Sequence, residues 1–166
     1  MDIMKGQKQD LADILAIISN CITYMESQGI YQWNQSYPTK AIIESDITSD
    51  ACYVLKDNEK CAAYVAINEE QAPEYRQVDW STAGEKVLVI HRLSVHSEFQ
   101  GKGIAKKLLE FIEDFARKNS YASIRLDAYS GNKKALTLYE NFGYKKAGQF
   151  CFPSKDLPFY CYEKNI

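Results

Sequence analysis

Between residues 10 and 25 the apolar positions fall at Leu11, Ile14, Leu15, Ile18, Cys21, Ile22 and Met25. That three-and-four spacing predicts a helix with one buried face. Asp10 stands where an N-cap belongs, and Gly29 where a left-handed residue ends a helix. Ile3 and Met4 precede it as a short edge strand, and 30–38 (Ile-Tyr-Gln-Trp-Asn-Gln-Ser-Tyr-Pro) reads as an aromatic loop before a second helix over about 39–48. Two apolar runs, 51–56 and 61–67, flank the turn sequence Asp57-Asn58-Glu59-Lys60 and predict a hairpin. Residues 68–85 are polar, with Pro73 and Gly84, and predict a long loop of the kind that is functional or mobile.

The second half has the same clarity. A strand over 87–95 leads into a helix over 103–118 that buries Ile104, Leu108, Leu109, Ile112, Phe115 and Ala116. Residues 122–128 alternate as a strand does. Asn132 caps a helix through Phe142 that Gly143 stops, and 144–152 and 159–163 supply two strands separated by Pro153 and Pro158. The order β-α-α-β-β-β-α-β-α-β-β predicts an α/β (α+β) domain over 1–166, with a crossover helix joining the strand at 87 to the strand at 122.

The junction between strand and crossover helix carries the chemistry. It reads Gln100-Gly101-Lys102-Gly103-Ile104-Ala105. Glycine takes positive φ and lets backbone approach a ligand. The helix that follows aims unpaired N–H groups and the positive end of its dipole at the turn, an arrangement suited to phosphate. Lys102, Lys106 and Lys107 cluster there.

Composition narrows the field. The chain has 166 residues, 46% hydrophobic and 25% charged, with a net charge of −2. There is no basic face to draw nucleic acid or anionic membrane. The five cysteines, at 21, 52, 61, 151 and 161, form no Cys-x-x-Cys pair, and His91 and His96 are too few for a zinc set. A reduced, cytoplasmic protein without a metal is expected, since neither a signal-peptide core nor an apolar stretch of ~20 residues is present. The dinucleotide and P-loop fingerprints both fail: Gly-x-Gly-x-x-Gly meets lysine at 106, and Gly-x-x-x-x-Gly-Lys-Ser/Thr is missing.

With its strand, 100–105 resembles the Arg/Gln-x-x-Gly-x-Gly/Ala segment of the GNAT superfamily of acyl-CoA-dependent N-acetyltransferases. Downstream, Asn132-Lys-Lys-Ala-Leu-Thr-Leu-Tyr139-Glu-Asn-Phe-Gly143-Tyr144 resembles the family's Asn-x-x-Ala-x-x-Leu-Tyr-x-x-x-Gly-Phe/Tyr segment. The resemblance implies a twisted, mixed, mostly antiparallel sheet splayed between its fourth and fifth strands, flanked by about four helices. It implies acetyl-CoA as co-substrate, its pantetheine arm pairing with backbone near Leu93 and Val95. Its diphosphate would lie on Gln100, Gly101, Lys102, Gly103, Ile104 and Ala105, and Asn132 would touch the arm as well as cap its helix.

It implies direct transfer of acetyl to a primary amine in a ternary complex. Tyr139, seven residues after Asn132 and on the same side of one helix, would protonate the departing thiolate. Backbone N–H at Leu93 or Val95 would polarise the carbonyl. The family's glutamate on the fourth strand has no counterpart in Lys86-Val87-Leu88-Val89-Ile90, which leaves His91, Glu85, Asp79 or water as proton acceptor. Arg92 reads as an ion-pair residue. The acceptor, an amine-bearing small molecule or a peptide or protein, would meet aromatics of 30–38 (Tyr31, Trp33, Tyr37), of 68–85 (Tyr75, Trp80) and of 151–160; these side chains could equally be lids over the core. A homodimer is possible for such a fold. The alternative is a non-catalytic acyl-CoA-binding module of the same fold.

Overall fold

Seven strands and four helices follow one another in the order the apolar pattern requires. The computed structural model describes residues 1–166. The strands are β1 (Asp2–Lys5), β2 (Cys52–Asp57), β3 (Lys60–Asn68), β4 (Val87–Val95), β5 (Ser123–Tyr129), β6 (Lys145–Phe150) and β7 (Phe159–Asn165). The helices are α1 (Leu11–Ser27), α2 (Lys40–Thr48), α3 (Ile104–Lys118) and α4 (Lys133–Asn141). They form a mixed sheet of order β1-β2-β3-β4-β5-β7-β6. β4 and β5 run parallel, whereas β1–β2, β2–β3, β5–β7 and β6–β7 are antiparallel. The parallel ladder pairs Val87–Val89 with Ser123–Arg125 and goes no further, although β4 continues to Val95 and β5 to Tyr129. The sheet is therefore splayed between its fourth and fifth strands, as the motifs implied.

By contact the chain divides into two compact units, Met1–Ile67 with His91–Phe111, and Asn68–Ile90 with Ile112–Ile166. In the first, Ile14, Ile17, Ile18 and Cys21 of α1 share a core with Ile43 of α2, Cys52 and Val54 of β2, and Cys61, Tyr64 and Ala66 of β3. Successive strand residues face opposite ways, so Tyr53 turns to the other side, its ring 5.0 Å from Phe111 of α3. Thr39 caps α2 by accepting from the Ile42 N–H at 3.4 Å. Asp10 does not cap α1 with its side chain. A 3-10 turn over Lys8–Asp10 precedes the helix and leaves Asp10 already in helical conformation. Its carboxylate points back instead, accepting from the Gln7 N–H at 2.9 Å and from Lys56 Nζ at 2.6 Å.

The second unit is built on β5 and β7, paired from Ser123↔Asn165 to Tyr129↔Phe159, with β6 at the edge. On the face of Tyr162 and Lys164 lie α4 and the later part of α3. Tyr162 donates to Glu140 at 2.7 Å, and Lys164 Nζ donates to Glu113 at 2.5 Å. Glu113 is itself buried on the apolar side of α3, whereas Phe115, expected in the core, is only half-buried and stacks on Tyr121 at 6.4 Å.

The opposite face carries the polar residues Ser123, Arg125, Asp127 and Glu163, and the 68–86 connection covers it. Ser81 donates to Glu163 through its N–H at 2.8 Å and its hydroxyl at 2.7 Å, and the Thr82 hydroxyl donates to the other carboxylate oxygen. Arg125 Nε reaches Glu163 at 3.2 Å while the guanidinium lies 4.4 Å above the Trp80 ring. The Tyr75 hydroxyl donates to Asp127 at 2.7 Å, and Trp80 Nε1 to the Tyr75 carbonyl at 2.8 Å. The long connection is thus pinned by a buried charge pair and its hydrogen bonds.

Burial alone would raise the Glu163 carboxyl, but hydrogen bonds from Thr82, Ser81 and Arg125 outweigh it and hold the group at about 2, below its ordinary 4.5. A depressed carboxylate stabilises the fold above the unfolded value and loses that contribution as pH falls toward the folded one. Wild-type stability should therefore fall between pH 4.5 and 2, by at most about 3 kcal/mol from this group. Glu163→Gln should cost about 3 kcal/mol at pH 7, because Arg125 loses its buried partner. The same variant should flatten that acid limb in urea titrations.

Candidate active site

After β4 the chain makes a 3-10 turn over Ser97–Phe99 and enters α3 through two left-handed glycines, Gly101 and Gly103, both at φ 76°. A Cβ at either would meet nothing within 4 Å, so torsion and not crowding requires glycine. The first bond of the helix runs from the Lys107 N–H to the Gly103 carbonyl at 3.0 Å. Helix geometry then leaves the N–H groups of Ile104, Ala105 and Lys106 without an intrahelical acceptor, directed along the axis with the positive end of the dipole. The Gln100 side chain folds back from this turn and donates to the Val95 carbonyl at 3.1 Å, which also accepts from Cys21 Sγ at 3.4 Å. Lys102 Nζ lies 5.1 Å over the Phe99 ring, and Lys106 pairs with Glu110 at 3.7 Å on the exposed helix face. The turn is thus braced by side chains and presents main-chain donors.

Arg92, in the interior of β4, has a left-handed φ of 54°. Its guanidinium grips Asp46 through Nε at 3.0 Å and Nη2 at 2.6 Å, the ion pair its sequence suggested. On either side of it His91 and Leu93 are half-buried, and Ser94 and Val95 are buried.

Asn132 caps α4, its side-chain oxygen accepting from the Ala135 N–H at 3.2 Å. Tyr139 follows two turns later, buried among rings, with Tyr144 at 6.0 Å and Tyr162 at 6.2 Å. Burial, reinforced by the Asp127 charge, holds its phenol above the ordinary value of 10, so it stays protonated at physiological pH.

The sequence model of the acetyltransferase (GNAT) family matches residues 17–144, a span that holds the glycine turn and all of α4. This chain belongs to the GNAT family. Mouse N-acetyltransferase 8F1 is 45% identical over 67 residues, 40% of this chain and 30% of that protein. Human N-acetyltransferase 8B is 41% identical over 75 residues, 45% of this chain and 33% of its own length. This chain's match thus spans about a third of the length of those curated relatives. Among solved structures, a Staphylococcus aureus Mu50 protein is 30% identical with a TM-score of 0.79, covering 99% of both chains. A GNAT-family acetyltransferase of Streptococcus agalactiae 2603 shares the fold at a TM-score of 0.85 and 20% identity, over 99% of this chain and 95% of that one.

Several side chains read as acceptor-pocket candidates have other duties in this GNAT chain. Tyr75 and Trp80 are buried against Asp127 and Arg125, and Trp33 packs on the α1 core. Around 151–160, Phe150, Phe152 and Phe159 close on one another, Phe150 and Phe159 stacked at 5.8 Å and Phe152 edge-on to both at 5.1 Å. Tyr31 and Tyr37 remain exposed. Glu85 and Asp79 are exposed on the 68–86 connection. Sequence reasoning missed Asp127. Desolvation holds its carboxyl above the ordinary carboxylate value against the opposing pull of the Tyr75 hydrogen bond. Its place in an alternating strand offered a signal only once the covering loop was known.

Because the glycine requirement is torsional, Gly103→Ala should lower stability by about 1–2 kcal/mol with no steric clash. Equilibrium denaturation checks this.

Proposed function

We propose that the chain is an acetyl-CoA-dependent N-acetyltransferase acting on a primary amine of a small molecule or a peptide. The observation that carries the reading is the pair of left-handed glycines that opens α3 in a chain of the GNAT family. Main-chain donors at Gly101, Gly103, Ile104 and Ala105 suit a diphosphate, and a helix N-terminus favours its charge. Lys102 adds a flexible cation. Leu93 and Val95 supply backbone for the pantetheine arm, and Asn132 a side-chain amide.

In the reaction one proton leaves the ammonium to a base or to solvent, and the amine nitrogen attacks the thioester carbonyl carbon. The carbon–sulfur bond breaks, and the second proton shed by the nitrogen is matched by the one that sulfur takes up. A backbone N–H at Leu93 or Val95 would stabilise the developing oxyanion, worth several kcal/mol in comparable sites. Tyr139 is the group assigned to the sulfur. Its raised phenol makes complete transfer to a thiolate more uphill than for a free tyrosine, so its contribution is a hydrogen bond that strengthens as negative charge develops. Two side chains suit the departing ammonium proton: His91, whose imidazole ordinarily titrates near neutrality, and Asp127, whose raised carboxyl is a better base than an ordinary aspartate. Loss of the acid limb of the kcat/KM profile in Asp127→Asn but not in His91→Gln would select the carboxylate; the reverse would select the imidazole.

Incubation with acetyl-CoA and a panel of amines should release free thiol with stoichiometric acetyl-amine. Tyr139→Phe should lower kcat by about 10²-fold, in the range of general acid catalysis, with little change in coenzyme A affinity. Coenzyme A binding without thiol release from any amine would instead identify an acyl-CoA-binding module.

A further inference from the structure

Four residues other than glycine have left-handed φ: Asp50, Asn58, Arg92 and Ser120. Asp50, Asn58 and Ser120 sit in turns, where such conformations are routine, whereas Arg92 sits inside a strand. A long side chain holds this conformation only where its surroundings over-determine it, and such outliers gather at functional sites.

The surroundings of Arg92 do over-determine it. Its guanidinium makes a two-pronged contact with the Asp46 carboxylate of α2, both side chains nearly enclosed at 10% and 8% exposure. That fork fits a carboxylate plane in one orientation, which an ammonium does not reproduce. The Tyr64 hydroxyl of β3 donates to the same carboxylate and fixes it in turn. On the backbone side, the buried Ser94 hydroxyl donates to the Arg92 carbonyl at 2.8 Å. The remaining guanidinium nitrogen, Nη1, donates to the Tyr37 hydroxyl at 3.1 Å, in the aromatic loop whose other exposed ring is Tyr31.

A left-handed residue in a strand re-aims the peptide groups that follow it, as bulges do beside active sites. Here those groups belong to Leu93, Ser94 and Val95. We infer that Arg92, locked by Asp46 and Ser94, is a positioning residue that sets the Leu93–Val95 backbone for the acyl thioester. Through Tyr37 it also ties the aromatic loop of residues 30–38 to that backbone. This inference rests on the acetyltransferase reading and adds to it three residues, Arg92, Asp46 and Ser94, that act through the Leu93–Val95 backbone.

The test begins with wild-type protein titrated with coenzyme A by calorimetry, then repeats the titration with Arg92→Lys, Asp46→Asn and Ser94→Ala below every variant's melting temperature. Arg92→Lys should weaken coenzyme A at least 10-fold and lower kcat with the best amine of the panel by 10- to 100-fold. Asp46→Asn should fall between it and wild type, because the amide keeps part of the hydrogen bonding. Leu93 and Val95 amide resonances should move in all three variants, and Tyr37→Phe should raise the amine KM several-fold while leaving coenzyme A affinity alone. Variants that melt earlier yet bind and turn over like wild type would overturn the inference and make the cluster structural. Should Arg92→Lys fail to fold, Ser94→Ala decides: a several-fold loss of coenzyme A affinity supports the inference, and wild-type affinity overturns it. A wild-type protein that does not bind coenzyme A removes the acetyltransferase reading itself.

Discussion

Hydrogen bonding between β4 and β5 ends at Val89 and Arg125, and the rest of the candidate site depends on that interruption. A complete parallel ladder would engage the backbone of both strands to their ends, since buried main-chain groups are almost always paired. Stopping it after Val89 separates two tasks along one strand. Val87–Val89 hold the sheet together, and the residues after them take up irregular backbone, a left-handed arginine and a braced carbonyl at Val95. The glycine turn then begins α3 with donors that the helix itself does not use.

The two compact units solve burial differently. The first packs aliphatic side chains and small cysteines around α1, with two enclosed charge pairs, Asp46–Arg92 and Asp10–Lys56. The second buries Arg125 and Glu163 and half-buries Asp127 beneath a loop, where each charge is offset by donors or acceptors that other segments bring. Such an arrangement contributes little net stability compared with an apolar one, because taking both ions out of water costs as much as their attraction returns. What it supplies is geometry. Ser81, Thr82, Trp80 and Tyr75 are each fixed by a partner on β5 or β7, or by one another, and so is the connection that carries them.

Much of the fold was legible because periodicity tracked burial. α1, α2, the β2–β3 hairpin and α4 fall within a residue or two of the pattern, and Gly29, Gly103 and Gly143 mark the helix ends as their positive φ requires. Asp10 misled because a capping residue type can equally fold back on a preceding turn. Phe115, expected in the core, is only half-buried, whereas Glu113 is enclosed with a partner, Lys164, that lies 51 residues away. Residues 122–128 read as a strand from their alternation, and its polar half is covered by a segment whose own composition predicts only a loop. The glycine turn and Asn132–Tyr139 were visible as local words. Arg92 was visible only as a charged residue in a strand, for no sequence rule anticipates a left-handed arginine there. Asp127 had the same obscurity.

The open space around Gly101 and Gly103 has a chemical corollary. Each position disfavours an L side chain by handedness and not by crowding, and a mirror-image residue prefers the same positive φ. D-Alanine, introduced by semisynthesis, would occupy the natural torsion without strain and would narrow the wandering of the unfolded chain. The entrance to α3 is therefore a place where the polypeptide could be stiffened while its outward-pointing amides stay where they are.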